Sequence, residues 1–165
     1  MDVFSHGLWG GLVFGRKSKN NFIASALFGM LPDLIPFTPF FIGVVLGYFA
    51  HPDFASGDHN IGNIPAFVYL FYSITHSLVI FTLVAIGYWT RKKRFYWPMF
   101  AWPLHILMDI PTHVDKFFPT PFLWPLSKVH VSGIAWSDPV IFFPNVILLL
   151  ILSFSYIINK KITNR

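Results

Sequence analysis

Apolar residues run along this chain in five stretches, and the polar breaks between them carry most of its charge. Residues 3–15 are apolar and glycine-rich and end in the basic run Arg16 to Lys19. This stretch falls short of the roughly 20 residues a helix needs to cross a bilayer, which predicts a short N-terminal helix, inserted part-way or packed inside a bundle. Residues 22–50 are long enough to cross, but Leu31-Pro32-Asp33-Leu34-Ile35-Pro36 and then Pro39 fall in the middle. Proline removes a helical N–H, so this span is predicted to be broken at Leu31–Pro36, as membranes tolerate where the freed backbone faces protein or a wet cavity. Residues 51–63 are polar and read as a loop. Residues 65–89 form the cleanest spanning pattern, with proline at the start and Arg91 to Arg94 just past the end. Residues 95–112 predict a further span, 115–138 a loop, and 139–158 a last span closed by Asn159-Lys160-Lys161. The expected architecture is all-α: a polytopic transmembrane helix bundle of about four spans plus the short N-terminal helix. It forms a single membrane domain over 1–165, without internal repeats.

Composition strengthens the membrane reading. Hydrophobic residues make up 55% of the chain and charged residues only 12%, against roughly a quarter charged in soluble domains. The start, Met-Asp, lacks a basic region, and His6 and the glycines interrupt the apolar run, so the first segment is expected to be retained rather than cleaved as a signal peptide. Cysteine is absent, which excludes disulfides, thiolate metal sites and thiol catalysis. Glutamate is absent too, so all carboxylate chemistry falls on Asp residues. The net charge of +5 does not point to nucleic acid, because the basic residues cluster at the ends of apolar runs and read as topology signals. Segments 16–19, 91–94 and 160–165 are all expected on the cytoplasmic side of the cell (inner) membrane. Tyr88, Trp89, Tyr96 and Trp97 read as interface anchors.

Within this apolar chain a few polar residues stand where hydrocarbon is the default. His105 and Asp109 are one helical turn apart on one face, and His113 is a turn further, beyond Pro111. No Lys or Arg occurs between Arg94 and Lys116, and an ionised Asp in lipid or in a bundle costs several kcal/mol without positive compensation. A metal ion supplies it. Counting about 1.5 Å per residue from the cytoplasmic ends puts His6, Asp33 and His105 at roughly the same mid-bilayer depth, with His76 level and Asp109 one turn further out. Four segments thus deliver five polar residues to one depth, and His6, Asp33, His76, His105 and Asp109 are the candidate metal ligands. The bland readings are a His–Asp hydrogen bond for His105 and Asp109, a cap for Asp33, a core imidazole for His76 and an interfacial residue for His6. Thr75 and Ser77 read as supports of His76. His51, His59, His130, Asp53 and Asp58 read as solvated loop residues, and Asp138 as a helix cap. Imidazole with carboxylate and no thiolate suits zinc, one or two ions, with Mn, Fe or Co as other metals such donors accept.

The ordered set of His6, Leu31-Pro32-Asp33, Thr75-His76-Ser77 and His105-x-x-x-Asp109 resembles the YdjM-like family of membrane-bound metal-dependent hydrolases. Asp109-Ile110-Pro111-Thr112-His113, Trp124-Pro125-Leu126-Ser127 and Gly133-Ile134-Ala135-Trp136 look like one subgroup of it. The His, Asp, His, His-x-x-x-Asp order is also distantly similar to the zinc-dependent phospholipase C and P1 nuclease group. The chain departs from the latter in having no Glu, and from many YdjM-like members in having Phe71-Tyr72 where a His-Arg pair is frequent. The resemblance implies a metal-dependent hydrolase. The chemistry expected is water activated by zinc against a lipid or lipid-linked ester or phosphoester, with Asp33 or Asp109 bridging metals or taking the proton and His113 as the acid for the leaving group. Membrane lipids and a lipid-like substrate are the expected partners. A transition-metal or proton transporter is the competing reading, since intramembrane His/Asp clusters also mark ion paths, and a structural protein stabilised by its metal is a third.

The basic clusters make a direct prediction. A cysteine placed at Ser127 should react with an impermeant reagent added outside intact cells, and one at Ser18 only after the membrane is opened. Labelling of the Ser18 position from outside would overturn the orientation.

Overall fold

Three prolines sit inside the helix that carries Asp33, and the helix continues through all of them. The computed structural model describes residues 1–51, 64–116 and 118–163, and every regular element among them is helical. These elements are α1 (Val3–Phe14), α2 (Lys19–Val45), α3 (Ala66–Thr75), α4 (Leu78–Lys92), a 3₁₀ turn (Trp97–Phe100), α5 (Ala101–Asp109) and α6 (Pro139–Thr163). The break expected at Leu31–Pro36 does not occur: α2 is a single 27-residue helix containing Pro32, Pro36 and Pro39. The reason lies elsewhere in the chain. Pro36 has no N–H to give the carbonyl of Pro32, one turn earlier. Thr75 Oγ1 donates to that carbonyl instead, at 2.8 Å. The four-residue spacing also stacks Pro32 and Pro36 on one face, and both are fully buried.

The span expected over 65–89 is two helices. α3 ends at Thr75, and α4 starts after Ser77 with its axis turned by 57°. Ser77 takes an extended conformation (φ −103°, ψ 122°), and its Oγ accepts from Ile80 N at 3.2 Å, capping α4. The span expected over 95–112 is likewise shorter than drawn: a 3₁₀ turn leads into the nine-residue α5, about 13 Å long at 1.5 Å per residue, against a hydrocarbon core of about 30 Å. Two helices, α2 and residues Pro139–Lys160 of α6, are long and apolar enough to cross a membrane, and α3 with α4 makes a third if the bent pair is one span. The expected loop over 51–63 lies, apart from His51, outside the described residues.

α1 lies against α2 through small residues. A Cβ on Gly29 would come 2.4 Å from the carbonyl oxygen of His6, and one on Gly10 would come 2.6 Å from that of Ser25. Only glycine admits backbones this close. α6 is strongly apolar and exposes most of its surface, as expected of a lipid-facing helix. It is tied to α1 by Asn145, which donates from Nδ2 to Ser5 Oγ (2.9 Å) and accepts from Trp9 Nε1 at Oδ1 (2.8 Å). Beyond Asp33 along α2, Phe40 packs with Ile64, Val68, Tyr72 and Phe118 in an aromatic core.

Gly29→Ala should therefore lower thermal stability in detergent by about 1–3 kcal/mol, because backbone atoms must move to admit the methyl. Gly87→Ala, where a Cβ meets nothing within 4 Å, should be neutral or stabilising by about 0.5–1 kcal/mol. Equal effects of the two would contradict the close α1–α2 contact.

Candidate metal centre

The ends and middles of four helices bring their polar residues to one point. Asp33 projects from the middle of α2, His76 caps the C-terminus of α3, and His105 and Asp109 come from α5. Ligand atoms of these four buried residues lie within 4.8 Å of one another. The nearest approaches are His76 Nε2 to His105 Nε2 at 3.0 Å and His105 Nε2 to Asp109 Oδ2 at 3.0 Å. His76 Nε2 lies 3.4 Å from Asp33 Oδ1 and 3.5 Å from Asp109 Oδ2. His6, from α1, stands on the other oxygen of Asp109, with Nε2 2.9 Å from Oδ1, and its ring stacks on His105 with centroids 3.6 Å apart. His113 also faces Oδ1, at 3.6 Å. The Met1 ammonium reaches the same oxygen at 2.5 Å and His113 Nε2 at 3.2 Å. Among the described residues neither carboxylate pairs with a Lys or Arg.

Backbone acceptors fix which nitrogen of each ring carries the proton. His105 Nδ1 donates to the Gly29 carbonyl (2.7 Å), His76 Nδ1 to that of Tyr72 (3.1 Å) and His113 Nδ1 to that of Phe118 (2.8 Å). In a neutral ring the Nε2 of each then bears a lone pair. The lone pairs of His76 and His105 face each other at 3.0 Å, flanked by two carboxylates. A proton or a metal ion between them satisfies both. Two buried polar atoms of the cluster also lack hydrogen-bond partners among the described residues, Asp109 Oδ2 and His6 Nδ1. The donor set therefore fits a metal ion held by Asp33, His76, His105 and Asp109. Each imidazole is oriented by a backbone carbonyl, the usual support of a ligating histidine.

The sequence motifs without an obvious chemical role turn out to be supports. Residues 133–136 run beside 111–113: Gly133 N donates to the His113 carbonyl (2.7 Å), Ile134 N to that of Pro111 (3.0 Å) and Trp136 N to that of Thr112 (2.9 Å). At Gly133 a Cβ would lie 2.0 Å from the Pro111 oxygen, so glycine is required. The 122–127 turn holds the α3–α4 bend, with Leu78 N donating to the Phe122 carbonyl (2.9 Å) and Ser77 Oγ to that of Trp124. Thr75 Oγ1 sits 3.1 Å from His76 Nδ1.

Other candidates lie apart. His51 is exposed. His130 is exposed and pairs with Asp115 at 3.2 Å. Asp138 Oδ1 accepts from Val140 N at the start of α6, in the capping role expected of it. His59, Asp53 and Asp58 lie outside the described residues. The sequence reading missed Tyr72, which stacks on His76 (3.7 Å) and donates to the Phe118 carbonyl (2.9 Å) beside His113, and Trp102, whose Nε1 donates to Thr75 O at 2.6 Å. Tyr72 lies one turn before His76, which marked it as sharing that face, but an aromatic in an apolar helix carries no signal of its own.

No protein-family model, curated protein or solved structure matches this chain.

A direct consequence is metal content. Wild-type protein purified without chelator should carry at least one transition-metal ion per chain by elemental analysis, and His105→Ala should lose most of it, since loss of one ligand among four weakens such sites severely. Equal metal contents, or none in either protein, would remove the metal reading.

Proposed function

We propose that this chain is a membrane-embedded hydrolase that uses a divalent transition metal, zinc being best suited to its donors, to cleave an ester or phosphoester in a lipid or lipid-linked molecule. The observation that carries the proposal is the approach of His76 Nε2 and His105 Nε2 to 3.0 Å of each other beside the carboxylates of Asp33 and Asp109. A second observation turns a cation site toward catalysis: Asp33 and His113 also line a cavity of about 360 Å³, so the cluster has an open side. A cation held there would lower the pKa of water and polarise the scissile group.

The protein's own residues then have distinct tasks. Asp109 offers one oxygen to the His76–His105 side, where it would help hold a metal ion, and the other to the His6–His113 side. Asp33, which lines the cavity, accepts a proton from the attacking water. His113 lines it too, its Nδ1 held by the Phe118 carbonyl, and after taking up a proton at Nε2 it becomes the acid for the leaving group. The apolar walls keep bulk water away from the polar cluster. In the topology we favour, α2, the bent α3–α4 pair and α6 cross the membrane with the three basic segments in the cytoplasm. Residues 95–113 rise as far as the cluster, and the following loop covers it from the outer side.

Asp109→Asn preserves volume while removing charge. Hydrolysis of a lipid-like ester by the variant in detergent or bilayers should fall at least about a hundredfold, and His76→Ala should fall comparably, because residues acting as one unit lose function non-additively. Metal flux into sealed vesicles that both substitutions abolish, with no hydrolysis across a broad panel of esters and phosphoesters, would replace the enzyme with the transporter.

A further inference from the structure

Two apolar hollows meet at Asp33. One is a cavity of about 360 Å³ lined by the exposed Phe4 and Phe41 and by the buried Ile64, Tyr72 and Phe118. The other is a groove of about 440 Å³ along α2, from Asp33 past Thr38 and Ile42 to Val45 and Leu46. Val3, Asp33, Phe37 and Phe41 line both, and Asp33 is the ionisable side chain common to the two. The groove opens on the lipid-facing side of α2: Val45 is 85% and Leu46 64% exposed, on a helix long and apolar enough to cross a membrane. The inner cavity is walled by Phe37, Phe40, Ile64, Phe118 and Trp136, and among the described residues its ionisable or hydroxyl-bearing groups are the Met1 ammonium, Asp2, Asp33, Tyr72 and His113.

Water filling such walls would find few partners, so the natural occupant is hydrocarbon. Its size is at the lower end for ligand sites, enough for a single chain. Among the described residues the basic groups at the two hollows are the Met1 ammonium and His113, both at the inner cavity, and the walls are otherwise mostly apolar.

We infer that the substrate is an amphiphile that enters sideways from the bilayer along the α2 groove and seats one hydrocarbon chain in the aromatic cavity, bringing its ester to Asp33 and His113. The position of the ester rests on the hydrolase reading; the seating of the chain does not. The cavity then acts as a ruler. Chains that fill it to Ile64 hold the ester in register with the cluster, and longer or shorter ones do not.

Two measurements test this. In the first, hydrolysis is followed over a graded series of single-chain esters for wild type, Ile64→Trp, which shortens the cavity, and Phe37→Ala, which enlarges it. The preferred chain should shorten in the first variant and lengthen in the second, so that the ratio of rates for a long and a short ester differs at least tenfold between the two. Variants that merely unfold would lower all chain lengths together, and an unchanged length preference in folded variants would overturn the inference. In the second, a single-chain amphiphile with a photoreactive group at its chain end is illuminated with wild type and with Asp109→Asn in bilayers. Cross-links should fall on Ile64, Phe118 or Trp136 in both proteins, whether or not hydrolysis occurs. Cross-links confined to the exposed faces of α4 and α6 would overturn the inference even in an active enzyme, whereas cavity cross-links without hydrolysis of any ester would leave it standing and remove the hydrolase.

Discussion

Asp109 has no exposed surface, and each of its carboxylate oxygens is approached by imidazoles from different helices. A bare carboxylate in such surroundings costs several kcal/mol, and removing one partner of a buried ionic group costs about 3–5 kcal/mol because the other charge is left stranded. The rest of the bundle is arranged to avoid that outcome. α1 delivers His6, α2 delivers Asp33, the end of α3 delivers His76, and α5 supplies His105 together with Asp109 itself. Helices of 12, 10 and 9 residues are marginal alone. They are fixed by what they bring to this carboxylate and by the long helix they lean on.

The loop from 118 to 138 belongs to the same arrangement. Its backbone is bonded to 111–113 and to the α3–α4 bend, so it holds His113 on one side and His76 on the other. A segment that composition alone would call a connector is the frame of the site. Its glycine at 133 is required by contact with a carbonyl rather than by a turn.

Much of the cluster was legible in the sequence because the signal is chemical contrast: His and Asp in apolar runs, and His105 and Asp109 at helical spacing. The structure brings these same residues within hydrogen-bond or ion-pair range. The helix boundaries were less legible, for physical reasons that are non-local. The continuity of α2 depends on a hydroxyl 43 residues away, which no reading of prolines along the helix reveals. The α3–α4 bend interrupts an unbroken apolar pattern, because a Ser capping the next helix looks like any small residue inside one. The shortness of α5 follows from the 3₁₀ turn at Trp97–Phe100, where Pro98 and aromatic neighbours read equally well as the start of a span. Tyr72 shares the helical face of His76 but is one aromatic among many in an apolar run, and the bond of Trp102 to the Thr75 carbonyl leaves no periodic trace.

The bond from Thr75 to the carbonyl of Pro32 joins two residues that immediately precede members of the cluster, His76 and Asp33. It fastens the backbone of α2 to the end of α3 at the residues from which Asp33 and His76 follow, so the spacing of these two is set by a side-chain bond as well as by helix packing. Restoring an ordinary residue at Pro36 would give α2 back an N–H that competes for the Pro32 carbonyl. A substitution that improves the helix by its own propensity would thus loosen the coupling between two halves of the site that lie 43 residues apart in the chain.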